Sequence, residues 1–211
     1  MGKKFIDISM TLSPDIPVYP GDPALQITDI LNIDRGDIVN LSAVSMGVHT
    51  GTHIDSPKHF YKDGMTIEEI PLEYLIGPVK VFEIENKAVI EVEDLKEFNI
   101  EKNDRILLKT INSSLLQYRD FATDFTYLSP EAARYLAQIG IRTLGFDYLS
   151  IDKYNSKDFG AHYALLGQNI VIIEGLNLQE IEPGEYYLIV MPLKLKGGNG
   201  SPARAALVIE N

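Results

Sequence analysis

Three of the four histidines of this chain fall within one run, Val48-His49-Thr50-Gly51-Thr52-His53-Ile54-Asp55-Ser56-Pro57-Lys58-His59-Phe60. Imidazole nitrogens and carboxylate oxygens hold divalent metals, and histidine moves protons near neutral pH. His49, His53, Asp55 and His59 all occupy odd positions. Side chains alternate faces along an extended chain. A strand here would therefore turn all four groups toward one wall, as a metal site requires. His49 and His53 also stand four apart, the spacing of a metal-binding helix. Against a helix, Gly51 lies between them, threonines flank it and Pro57 follows; glycine and β-branched residues disfavour helix. The glutamate of the helical His-Glu-x-x-His pattern is absent as well. Each histidine taken singly reads as a solvated loop residue. Four ligand-type residues in phase read as a metal or catalytic site.

Further candidates lie downstream. His162 sits in a stretch where residues 161–166 form a candidate short helix stopped by Gly167; alone, it reads as a surface or helix-end histidine. Glu174 ends the apolar run Ile170-Val171-Ile172-Ile173 and precedes Gly175. A carboxylate at the end of a buried strand is costly unless it is paired or metal-bound. The local sequence leaves metal binding open beside pairing with a backbone amide or an arginine. Asp147 ends Leu144-Gly145-Phe146 in the same way. It reads as bonding backbone amides in a turn, with orientation of a ligand histidine as the alternative.

Positioning these residues calls for strands more than helices. Alternation predicts strands at 5–8, 24–33, 39–48, 79–84 and 105–110, the third running straight into the histidine segment. Residues 143–146 and 170–173 are short buried-strand runs, and 186–195 and 203–210 are strands joined by a glycine-rich loop. That loop lacks the Gly-Lys-Ser/Thr ending of a phosphate cradle and reads as a hairpin turn. Residues 92–98 predict a short helix. Ser129-Pro130-Glu131 opens the clearest helix, with serine as N-cap and proline in the first turn, and Gly140 closes it. The expected class is α/β or α+β: mixed sheets with a few packed helices.

The 211 residues suffice for one domain with a real core, and no linker or repeat divides them. The net charge of -11, with scattered Lys and Arg, argues against nucleic acid. No apolar run reaches the roughly 18 residues of a membrane span. The opening Met-Gly-Lys-Lys-Phe-Ile-Asp reads as neither signal peptide nor myristoylation site, so the expected location is the cytoplasm. With no cysteine, thiolate zinc sites and a cysteine nucleophile are excluded.

The histidine run resembles the signature of the metal-dependent cyclase-like hydrolases, the family of bacterial kynurenine formamidase and isatin hydrolase. The resemblance spans nearly the whole chain. It takes in Ile6-Asp7-Ile8-Ser9, Pro17-Val18-Tyr19-Pro20-Gly21-Asp22, Ser129-Pro130-Glu131-Ala132-Ala133, Ser156-Lys157-Asp158, His162 to Gly167, Pro192-Leu193-Lys194-Leu195 and Gly200-Ser201-Pro202-Ala203-Arg204. It implies a single swivelling β/β/α-type domain over 1–211, as a homodimer or larger. It also implies a two-metal site. His49, His53 and Asp55 would hold one ion, Asp55 would bridge to a second held by His162, Glu174 would touch both, and His59 would stay free as acid/base. The ligand chemistry suits zinc, with manganese as the alternative. The implied reaction is attack of metal-activated water on a small aromatic amide, an N-formyl arylamine first and a cyclic amide such as isatin second. Tyr19 stands where formamidases carry a tryptophan against the substrate ring, and it stacks as an aromatic can; alternatively it anchors the Pro-rich turn.

Overall fold

Three apolar runs, around positions 107, 144 and 172, lie side by side as parallel strands, buried along almost their whole length. They form the middle of a mixed sheet in a computed structural model that describes residues 2–210. The strands are β1 (Lys3–Asp7), β2 (Gln26–Leu31), β3 (Leu41–Ser45), β4 (His53–Asp55), β5 (Ile76–Glu83), β6 (Val89–Ile90), β7 (Arg105–Lys109), β8 (Tyr127–Leu128), β9 (Thr143–Phe146), β10 (Val171–Glu174), β11 (Gly184–Pro192) and β12 (Gly200–Glu210). The helices are α1 (Leu72–Leu75), α2 (Val92–Lys96), α3 (Pro130–Ile139) and α4 (Gly160–Leu166).

The main sheet runs β1-β12-β11-β5-β7-β9-β10-β4, and β4 pairs back onto β12. Seven strands thus close into a barrel, with β1 added outside β12. Closure leaves few unpaired edges. Ile54, Val81, Leu107, Ile173, Leu188 and Leu207, from six of these strands, fill one core. The opposite faces of β7, β9 and β10 pack Ile106, Leu144 and Ile172 against Leu136 of α3 and Leu165 of α4 in a second. This is the mixed α/β architecture with few helices that the sequence leads one to expect.

The α3 signals act as read. Ser129 Oγ accepts the Ala132 N–H at 3.1 Å, and Gly140 closes the helix in the left-handed conformation at φ 80. The histidine segment differs from expectation. It is not one strand: β3 stops at Ser45, residues 48–52 turn, only His53–Asp55 is extended, and Pro57–His59 is a 3-10 turn. Gly51 sets the turn at φ 63, a conformation that a side chain resists. The β2–β3 hairpin stands apart as its own two-stranded sheet. Among the described residues, no helix is long and apolar enough to cross a membrane.

Candidate metal centre

The short β4 sits between β10 and β12, and its register fixes the site. Glu174 lies directly opposite His53, and Asp55 lies opposite Gly200. His53 and Asp55 share a face by strand alternation, while Ile54 between them enters the core with no exposure. Helix α4 brings His162 to the same face. His53, Asp55, His162 and Glu174 are all buried, at 1%, 1%, 4% and 3% exposure. Four titratable groups this deep are expensive unless they are paired or metal-bound.

Their spacing shows what they fit. His53 Nε2 lies 3.4 Å from Asp55 Oδ1 and 3.3 Å from Glu174 Oε2. His162 Nε2 lies 3.4 Å from Asp55 Oδ2 and 3.2 Å from Glu174 Oε1. Two ligands about 2.0–2.1 Å from one tetrahedral ion stand roughly 3.3–3.4 Å apart. Each carboxylate therefore offers one oxygen to each imidazole at ligand-to-ligand distance.

The outer nitrogens are tied down. His53 Nδ1 donates to the Gly51 carbonyl at 2.8 Å. His162 Nδ1 lies 2.6 Å from Asp152 Oδ2, which also accepts the His162 backbone N–H, while Asp152 Oδ1 accepts the Ala161 N–H at 3.0 Å. Such partners fix the tautomer that presents Nε2 to a metal. Glu174 Oε1 further accepts the Ile151 N–H at 2.8 Å.

His49 and His59 complete the group from the turns. His49 Nε2 donates to Asn199 Oδ1 at 3.1 Å, and its Nδ1 stands 2.6 Å from Asp55 Oδ1, a hydrogen-bond rather than a ligand-to-ligand spacing. Gly200 leaves room for that ring, because a Cβ there would come within 2.5 Å of His49 Cε1. His59 stacks on His49 with ring centroids 4.0 Å apart and meets Phe60 edge-on at 4.7 Å. Donor atoms of His49, Asp55 and His59 gather in one cluster, and those of His53, Asp55 and Glu174 in another, each within 4.8 Å. Asp55 belongs to both.

The electrostatics follow from this crowding. Burial opposes charge on His53, yet Asp55 and Glu174 outweigh it and raise His53 to about 10. Burial likewise opposes charge on His162, and Asp152, Asp55 and Glu174 hold it well above its usual value. Burial alone would raise Asp55, but His49 and the other imidazoles hold it well below the usual carboxylate range. His59 moves the other way. It opens to the cavity mouth, but loss of water around its ring, helped by His49 and His162, pushes it down to about 4. It is neutral where His53 and His162 are driven toward the charged form.

These residues line a cavity of about 220 Å³ together with Tyr19, Asp22, Phe60, Leu149, Ser150 and Phe159. All six residues singled out for chemistry, and Tyr19, therefore meet in one place. Tyr19 meets Phe121 edge-on at 5.1 Å, so it both lines the cavity and anchors its turn. Asp147 lies elsewhere, accepting from the backbone N–H and hydroxyl groups of Thr110 and Ser113. Sequence reasoning missed Asp152 and Asn199. Asp152 ends the Asp147–Asp152 turn at a spacing that carries no known pattern, and Asn199 lay in the glycine-rich loop as one more turn former.

A sequence profile of the family described as putative cyclase matches residues 6–153. The chain is similar to kynurenine formamidase of Bacillus anthracis, 34% identical over 204 residues and 97% of each chain. It is 36% identical to kynurenine formamidase of Geobacillus thermodenitrificans over 207 residues and 98% of each chain. A solved structure described as a potential metal-dependent hydrolase with cyclase activity matches over 100% of both chains, with TM-score 0.87 and 34% identity. Isatin hydrolase A from Labrenzia aggregata, bound to benzyl benzoate, matches over 99% of this chain and 94% of its own, with TM-score 0.86 and 27% identity.

Proposed function

The chain belongs to the putative cyclase family, and from that premise we propose that it is a metal-dependent arylformamidase, splitting N-formylkynurenine into kynurenine and formate. The observation that carries this is the buried quartet of His53, Asp55, His162 and Glu174, spaced 3.2–3.4 Å apart, with both outer imidazole nitrogens fixed.

In this reading His49, His53, Asp55, His162 and Glu174 would hold two ions, with Asp55 and Glu174 shared between them and His49 giving up its hydrogen bond to Asp55 to serve as a ligand. Both ions are assigned as zinc, because the donor set is nitrogen and oxygen without thiolate; manganese fits the same donors. When bound, the ions acidify water toward neutrality and offset the negative charge that builds on the carbonyl oxygen. His59 supplies the proton transfers. Its neutral ring accepts the proton of the attacking water and returns it to the amide nitrogen, so the amine leaves uncharged. Tyr19 and Phe60 flank the aryl ring. Phe159, held at φ 43 at the start of α4, closes the far side. Residues 1–211 act as one domain, supported by the two cores on opposite faces of one sheet.

A cyclic-amide hydrolase is the second reading. The cavity favours it to this extent: about 220 Å³ is compact beside the roughly 300–1,000 Å³ of most ligand pockets, as a fused bicyclic substrate requires.

We also assign a homodimer or larger assembly. The support is the β2–β3 hairpin, which exposes Ile27, Ile30, Leu41 and Val44 and joins them to Ile38 at 95% exposure. Two strands alone are marginally stable, and such a patch favours a partner.

The test is formate release from N-formylkynurenine by metal-loaded protein, with a chelated control. Chelator-sensitive turnover on the order of 1–10³ per second is expected. Hydrolysis of isatin without formate from the formamide would overturn the formamidase in favour of the cyclic-amide reading.

A further inference from the structure

The cavity holds one charged side chain that neither the metal ligands nor His59 account for. Asp22 lines it beside Tyr19. The two are joined by a tight turn: the Asp22 N–H donates to the Tyr19 carbonyl at 3.0 Å, and Gly21 between them sits at φ 104. The Asp22 carboxylate has no hydrogen bond or ion pair among the described residues, unlike Asp55, Asp152 and Glu174. Nor does any lysine or arginine line the cavity among those residues. Beside the ligand group, the lining therefore offers a carboxylate for a cation and no lysine or arginine for an anion.

We propose that Asp22 is a specificity-determining residue that receives a substrate ammonium group. The inference rests on the formamidase reading, and it names the substrate class within it: N-formyl arylamines whose side chain ends in a primary amine. With the formamide at the metal ligands and the ring against Tyr19, a ring substituent must leave through the mouth, where Asp22 stands on the same turn as Tyr19. An ammonium there gains charge-assisted hydrogen bonds to a carboxylate that is otherwise unpaired. A carboxylate on the substrate finds no lysine or arginine there and faces a like charge. Of the two charges on an amino-acid side chain, the enzyme thus reads the amine.

Three substrates test this: neutral formanilide, cationic N-formylkynuramine and anionic N-formylanthranilate. The readout is the kcat/KM of each charged substrate relative to formanilide, in metal-loaded wild type, Asp22→Asn and Asp22→Glu. Asp22 is exposed, so the expected effect is that of a partly solvated pair. The cation-to-neutral ratio should fall about two- to fivefold in Asp22→Asn. It should recover in Asp22→Glu, and the anion-to-neutral ratio should rise in Asp22→Asn. A purely structural role for Asp22 would lower all three substrates together and leave the ratios fixed, which overturns the inference while formamidase activity stands. If wild type releases formate from N-formylkynurenine but not from N-formylkynuramine, the inference falls while the formamidase reading stands; if it releases none from N-formylkynurenine either, both fall.

Discussion

On one side of the cavity His53, Asp55, Glu174 and His162 come from two paired strands and a helix, each no more than 4% exposed. On the other, Tyr19, Asp22 and His59 come from turns and are half-buried or exposed. The first wall is continuous with both cores. Ile54 and Ile173, the neighbours of its proposed ligands in β4 and β10, have no exposure. Its groups cannot move without repacking, which is what a metal needs from its ligands. The second wall hangs on Gly21, Pro20 and Pro57, outside either core, so its side chains can vary in chemistry without cost to the sheet. On the proposed reading metal dependence and substrate choice would reside on different physical supports, and variants should separate them.

The sharpest separation comes from Glu174→Ala against His59→Ala. Removing Glu174 leaves Asp55 as the one carboxylate shared by buried His53 and His162, so metal content and activity should both fall to background, read by elemental analysis beside formate release. Removing His59 should lower kcat by about 10²–10⁴-fold with metal content kept. If His59→Ala also loses metal, His59 belongs with His49 and Asp55 as a ligand and the two walls are not separate.

Asp152→Asn probes the support behind the first wall. It keeps the shape but offers one acceptor oxygen where His162 Nδ1 and two backbone amides now share a carboxylate. Metal affinity should drop about 10–100-fold, seen in competition with a chromophoric chelator. The KM of metal-saturated enzyme should stay put.

The pH dependence of metal binding follows from His53. In the metal-free protein it stays protonated up to about 10, and a metal must displace that proton. Affinity should therefore rise with pH, about tenfold per unit for each proton released, across the window below 10. Calorimetry in buffers of different ionisation enthalpy counts the protons. The same shift makes the apo-protein lose stability as pH climbs from about 6.5 through 10, because the folded state then gives up a proton that it binds more tightly than the unfolded chain.

The smallest effect belongs to the second wall. Tyr19→Ala removes one aromatic contact of about 0.5–1.5 kcal/mol, so KM should rise roughly two- to tenfold with kcat and metal content nearly unchanged. An equal fall in metal content would show that the Tyr19 turn supports the ligands after all.

The sequence made the first wall more legible than its scaffolding. His53 and Asp55 obey strand alternation, Glu174 ends an apolar run as a buried carboxylate should not without a partner, and Ser129 and Gly140 bracket a helix by local chemistry alone. His49 and His59 reach the site by another route than alternation. The Gly51 turn and the Pro57 3-10 turn fold the ends of the segment inward, and periodicity cannot register that. Closure of β4 onto β12 depends on pairing residues more than 140 positions apart, so the glycine-rich loop's role in seating His49 had no local signal. Asp152 was invisible for a different reason: its partner His162 lies only ten positions on, at a spacing that carries no known pattern.

The most direct test of the account is diffraction from crystals of the zinc-loaded protein at wavelengths on either side of the zinc edge. The account predicts anomalous density in the cavity, among His49, His53, Asp55, His162 and Glu174, with no ion bound to His59. Density absent from this cavity in an active preparation, or centred on His59, would contradict it.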